Sequence, residues 1–247
     1  MPGIMPPALA EDAPLMPRSE QMSEVEAEVR RGFVRKVYGI MAAQLLLTAL
    51  IATPIMLLTK EHAKNCEWMV MAASGVLFIV TMIVGSSPEM LMQYPRNYAT
   101  LFVLTLAMSV VVGFASSVYT WQSVLLAVGL TAGVFLGLTV YAWTTETDFS
   151  GYGEYLSAFC FAFMLFSISV STMVSIGGSG SVHWLVVLCD FLGMVPFIFW
   201  VVYRTQKLTG NFKSKTGIDD YASAALHLYM DSAHLFIRLL RLFGQRR

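Results

Sequence analysis

Charge is what this chain has least of. Only 13% of its 247 residues are Asp, Glu, Lys or Arg, and the 16 basic and 16 acidic side chains cancel. With a net charge of zero, nothing suggests a nucleic-acid partner. Cysteine is equally sparse: Cys66 lies in a short polar stretch, and Cys160 and Cys189 sit inside apolar runs. Neither a disulfide framework nor a zinc site follows from three isolated cysteines, and the latter two read as small buried hydrophobes. The first 30 residues, rich in Pro, Met and Glu, hold no apolar run and no cleavage site. They read as a disordered cytosolic tail over 1–30, with the first membrane helix as the insertion signal.

What fills the chain instead is apolar. Hydrophobic residues make up 56% of it, and the mean hydropathy is +0.64, the balance of a polytopic membrane protein. About 20 apolar residues span the hydrocarbon core. Six stretches meet that test: Val37 to Leu58, Trp68 to Val84, Ala99 to Val118, Val124 to Trp143, Tyr155 to Ile176, and His183 to Tyr203. The expected fold is an all-α integral membrane bundle of six transmembrane helices within a single domain over 31–247. A seventh, C-terminal helix is expected to be either re-entrant or spanning. Short loops make each helix antiparallel to the next. Pro54 and Pro196 are expected to kink their helices. The Gly177 to Ser181 run reads as a flexible connection, and Gly129, Gly133 and Gly137 at helical spacing argue for a central fourth helix.

Lys and Arg set the orientation. Arg30, Arg31, Arg35 and Lys36 precede the first span, and Arg96, Arg204, Lys207, Lys213 and Lys215 fall in loops on the same side, against Lys60 and Lys64 opposite. The positive-inside rule then places the N-terminus in the cytosol. Arg238, Arg241, Arg246 and Arg247 after the seventh segment would break that rule if the segment crossed fully, which favours the re-entrant alternative.

The seventh segment also carries Asp231, and a carboxylate at bilayer depth costs on the order of 3 kcal/mol on insertion scales. It must belong to an ion pathway, a proton site or a buried pair. Two enzyme readings are weak. Gly177-Gly-Ser-Gly180 matches the GxSG pattern of rhomboid-type intramembrane proteases, but its Ser lies among loop glycines. Asp190 and Asp231 could form an aspartyl pair, yet the GxGD surroundings are absent. No enzyme activity is expected. His227 and His234 are seven residues apart on one helical face with no third ligand at helical spacing, so they read as pH-responsive polar groups rather than a metal site.

Whole motifs carry a resemblance. Phe33-Val-Arg-Lys-Val-Tyr-Gly-Ile-Met-Ala-Ala-Gln-Leu-Leu-Leu-Thr48, Pro95-Arg-Asn97, Gly137-Leu-Thr-Val-Tyr141 with Thr147-Asp-Phe149, Val202-Tyr-Arg-Thr-Gln206, Asp219-Asp-Tyr221, Leu228-Tyr-Met-Asp231 and Leu235 to Leu242 are arranged as in one family. The chain resembles the transmembrane Bax inhibitor motif superfamily, in its Lifeguard / Golgi anti-apoptotic protein branch, over Arg31 to Phe243. The resemblance implies six or seven helices, residence in Golgi or endoplasmic reticulum membranes, a calcium leak from the store and suppression of apoptosis. It also implies partners among apoptosis regulators or calcium-handling membrane proteins, besides the bilayer.

Two positions depart from the pattern. Where the family has Tyr-Asp-Thr, whose Asp pairs with the residue matched by Asp231 to sense pH, this chain has Tyr203-Arg204-Thr205. An Arg beside an Asp keeps it ionised and never releases its own proton, so the carboxylate switch is lost. An acidic residue expected in the third helix is replaced by Met108. Two functions follow. One is a cation leak with Asp231, Arg204 and Asp190 on the path and Asp231 as a weak, transient calcium contact, since one carboxylate is far short of the six to eight oxygens Ca²⁺ takes. Calcium is there a permeant ion, and no cofactor is expected. The other is a closed regulator acting through protein partners, with Arg204 and Asp231 as a structural ion pair.

Overall fold

The computed structural model describes residues 18–149, 151–177, 183–209, 217 and 220–246. Those residues are helical almost throughout: α1 (Arg18–Ser86), α2 (Arg96–Ser117), α3 (Trp121–Thr144), α4 (Gly153–Gly177), α5 (His183–Thr209) and α6 (Tyr221–Phe243), with a 3₁₀ turn at Pro88–Leu91. Six segments are long and apolar enough to cross a membrane. Two of them, Glu26–Thr59 and Trp68–Ser86, lie within α1; the others are Arg96–Ser117, Trp121–Thr144, Gly153–Val170 and Val187–Thr209. The protein is an all-α, multi-pass membrane protein.

The expected tail over 1–30 falls partly on residues that are described. Residues 1–17 lie outside the described residues, and from Arg18 the chain is already helical, in keeping with its run of good helix formers, Glu20, Gln21, Met22, Glu24 and Glu26. Burial begins at Phe33 and Val37. Cys66 likewise falls inside α1 rather than in a loop, Cys189 is buried, and Cys160 is half-buried.

The helical pattern of α1 is unbroken, yet α1 is not straight. Lys36 Nζ sits 3.3 Å from the centre of the Tyr221 ring, and Asn97 donates to the Tyr221 hydroxyl at 3.0 Å. A straight helix would carry the chain about 75 Å from Lys36 to Ser86. The eleven residues from there to Asn97 can return at most about 38 Å. Side-chain reach does not close that gap, so α1 bends back on itself between its two spans. Its first span then runs parallel to α2. Gln44 meets Thr105, and Gly113 lies so close to Ala52 and Ile55 that an added Cβ would stand 2.9 Å from the Ala52 carbonyl oxygen and the Ile55 Cβ.

Contacts among the described residues place several helix ends on one of two faces. The near face holds Lys36, Asn97 and Tyr221, Thr139 of α3 beside Tyr38, Gly153 of α4 against Tyr203, and Lys207 of α5, whose carbonyl accepts from Arg30. On the far face, Gln245 after α6 joins Thr120 and Ser123 between α2 and α3. Successive spans therefore alternate in direction.

Centrality belongs to α6, not to the Gly-rich α3. Glycines 129, 133 and 137 have nothing within 4 Å of a built Cβ and face outward. The face of α3 that packs is Ser123, Ala127, Thr131, Phe135, Thr139 and Ala142. In contrast, α6 packs on α1, α2, α3 and α5, and thirteen of its residues, from Ala222 to Leu240, are buried. It is too polar to count among the six apolar spans, and enclosure by protein is what makes it tolerable at membrane depth. Because Tyr221 is at the near face and Gly244 at the far face, α6 runs the full depth of the bundle. Of the two alternatives for the seventh helix, the structure takes the through-running one. Arg241 and Arg246 therefore lie on the side opposite Lys36, against the charge rule. Both Pro54 and Pro196 sit inside their helices, which continue through them. The loop expectation at Gly177 to Ser181 falls largely on residues outside the described set, as do Lys213 and Lys215.

Candidate functional site

Antiparallel packing of α5 on α6 builds the site. Gly193 of α5 leaves no room for a side chain, because Arg238 of α6 and Phe163 of α4 fill that space. One turn on, Phe197 stacks on His234 with ring centres 5.8 Å apart, and the Arg238 guanidinium lies 4.9 Å from the same phenyl ring. The register carries Arg204 to Asp231, Nη1 to Oδ2, at 3.2 Å.

That pair is the deepest charged contact described. The Asp231 side chain is 6% exposed and that of Arg204 19%. Among the described residues no hydrogen bond of good geometry reaches Asp231 Oδ2, so the contact is an ion pair held by charge and not the bidentate fork of which Arg is capable. Arg204 also lies over the Trp200 ring at 4.9 Å, and Trp200 packs on Tyr203 at 5.5 Å. The position of Met108, where a carboxylate was expected from the resemblance, is in the apolar core.

A cavity of about 360 Å³ opens on the near face between the end of α5 and the start of α6 and leads down to Arg204. Trp200, Tyr203 and Lys207 line one wall, and Asp220, Ser223, Ala224 and His227 the other. His227 Nδ1 is 3.4 Å from the Ser223 hydroxyl, and His234 Nδ1 is 2.7 Å from the Met230 carbonyl. The structure thus brings Arg204, Asp231 and His227 to one site and holds His234 a turn deeper, on Phe197. Asp190 belongs to α5, about 21 Å along the helix from Arg204 by the rise of fourteen residues; its side chain is outside the described residues. Among the described residues no three His, Cys, Asp or Glu side chains converge as a metal site would need.

Opposite the charged contact, α6 has a second polar face that single-residue reasoning missed. Tyr229 shares a 2.7 Å hydrogen bond with Thr48. Gln44 donates to the Thr105 hydroxyl at 3.0 Å, and its Oε1 is buried without a hydrogen-bond partner among the described residues. Thr48, Thr105 and Ser109 each bond the carbonyl four residues back. The available signal was spacing: Gln44 with Thr48, and Thr105 with Ser109, are polar pairs one turn apart inside apolar runs.

This arrangement is spread over nearly the whole chain, and so is the match to known proteins. A family model described as inhibitor of apoptosis-promoting Bax1 covers residues 30–247. The chain belongs to that family. Among curated relatives of this Bax1-inhibitor family member, Protein lifeguard 3 of Homo sapiens is 29% identical over 225 residues, 90% of this chain and 71% of the relative. Protein lifeguard 3 of Mus musculus is 26% identical over 223 residues, with the same two shares. Protein LIFEGUARD 4 of Arabidopsis thaliana is 29% identical over 221 residues, 87% of this chain and 85% of the relative. The Lifeguard branch expected from the motifs is the branch found. The family is one of membrane-embedded apoptosis inhibitors.

Proposed function

We propose that this Bax1-inhibitor family member suppresses cell death from an intracellular membrane of the Golgi or endoplasmic reticulum by setting a small calcium leak, with the Arg204–Asp231 pair as its closed gate. The observation that carries the reading is the polar cavity leading from the near face to that pair, beside a central helix that crosses the whole bundle. A weak single-carboxylate contact suits conduction, which needs sites loose enough to release the ion. Arg30, Arg31, Arg35, Lys36, Arg96 and Lys207 gather on the near face, which supports a cytosolic N-terminus; Arg241 and Arg246 on the short far-face end are too few to outweigh them. Asp190 would act as a second carboxylate farther along the same route, and His227 and His234 as its pH-responsive groups.

The pair itself favours a second reading, a permanently closed regulator that acts through apoptosis-regulating or calcium-handling membrane proteins. An intact guanidinium in the route repels a divalent cation. Flux separates the two. In liposomes containing a calcium dye, the leak reading expects wild-type influx above empty liposomes that falls on Asp231→Asn; influx equal to empty liposomes from pH 6 to 8 sinks it. The closed reading expects Arg204→Asp to create pH-dependent flux by restoring a proton-sharing carboxylate pair.

A further inference from the structure

Beside the polar cavity that ends on Arg204 lies a second one, and Tyr203 is a wall of both. The second has a volume of about 340 Å³ and lies between the α3–α4 connection, the start of α4 and α5. Its lining is aromatic: Phe149, Tyr152, Tyr155, Phe159 and Phe199, with Phe149 and Phe199 in ring contact at 6.4 Å. An apolar hollow thus adjoins a charged one at the near-face end of the bundle, the level at which headgroups meet acyl chains. Tyr203 keeps its place between them because Gly153, at the head of α4, has no side chain and the Tyr203 hydroxyl end fills that space.

The polar half is built for two opposite charges. Lys207 Nζ lies 3.4 Å from the Tyr203 hydroxyl, at the boundary of the two cavities, and Arg204 stands beside it, while Asp220 lines the other wall. Asp231 balances Arg204, and among the described lining residues Lys207 and Asp220 are then the remaining cation and anion. A simple anion would meet Asp220. A wholly apolar molecule would strip water from Lys207 without replacing its contacts.

We propose that the joined cavities hold one zwitterionic phospholipid of the near leaflet. Its phosphate lies at Lys207, its ammonium at Asp220, and the first segment of an acyl chain among the rings beyond Tyr203. A headgroup placed there occupies the cavity that the leak reading uses as its route, so the inference rests on the cavity linings and not on conduction.

The test uses the full chain, purified in detergent, stripped of lipid and offered single lipids, with retention and affinity read by native mass spectrometry. Dioleoyl phosphatidylethanolamine is expected to be retained at one per chain. Dioleoylglycerol, which lacks phosphate, and the Lys207→Gln protein offered phosphatidylethanolamine should each bind at least about tenfold more weakly. Dioleoyl phosphatidic acid should bind more weakly than phosphatidylethanolamine, and Asp220→Asn should erase that preference. Equal retention of dioleoylglycerol, or unchanged binding by a helical Lys207→Gln protein, overturns the proposal. So does full displacement of the lipid by inorganic phosphate alone, which would mark a site for free phosphate. Should Lys207→Gln fail to fold, Ser223→Trp, which fills the polar cavity from the opposite wall, is expected to abolish retention, and unchanged retention there overturns the proposal equally.

Discussion

On one side of α6 Asp231 meets Arg204 next to a cavity; on the other, Tyr229 meets Thr48 in buried packing against α1 and α2. Both are polar contacts at bilayer depth, and they differ in what happens when one partner is lost. The hydroxyls of the neutral face are partly satisfied by their own helices, through carbonyls four residues back, so each tolerates loss of its neighbour. A buried ion has no such fallback. The charged contact is therefore all-or-none, and the neutral one is graded.

The comparison can be broken by mutation, with the largest effect on the charged side. Arg204→Ala leaves Asp231 buried without its counter-charge and should cost about 3–5 kcal/mol, read as a lower unfolding midpoint in nanodiscs. Arg204→Leu combined with Asp231→Leu should recover most of that loss, since an apolar pair of similar volume has no ion to strand. A single-mutant loss below about 1 kcal/mol would erase the distinction between the two faces. Next comes the close helix approach beside the neutral face. Gly113→Ala forces a Cβ to within 2.9 Å of the Ala52 carbonyl oxygen, a backbone atom with little room to move, and should cost about 1–3 kcal/mol by the same measurement. The smallest effect is expected of Tyr229→Phe, about 0.6 kcal/mol, because Thr48 keeps its bond to Gln44. A Tyr229→Phe loss comparable to that of Arg204→Ala would show that the neutral face is as brittle as the charged one.

Apolar run length made the six spans legible, because the bilayer demands about 20 apolar residues wherever a helix faces lipid. The same criterion hid the role of α6. Hydropathy reports contact with lipid, and His227, Asp231, His234 and Arg238 lower it on a helix that touches mostly protein. The Arg204–Asp231 contact could be anticipated from cost alone, since neither charge is affordable unpaired and the two lie on neighbouring helices. Gly129, Gly133 and Gly137 pointed the wrong way, because small residues permit close packing without requiring it, whereas Gly113, Gly153 and Gly193 are where helices actually meet. Gln44, Thr48, Thr105 and Ser109 were silent because each is acceptable in a membrane helix through its own backbone bond. Only their spacing held the clue.

The two ends of α6 are fastened differently. Tyr221 is gripped by Lys36 and Asn97, and Gln245 is tied to Thr120 and Ser123. A helix of this polarity gains little from entering lipid alone, and all its anchoring partners come earlier in the chain. Synthesis therefore delivers the ring before its axle. The spans of α1, α2, α3 and α5 that pack on α6 are made first, and docking α6 among them is the step that fastens the molecule at both ends of the bundle.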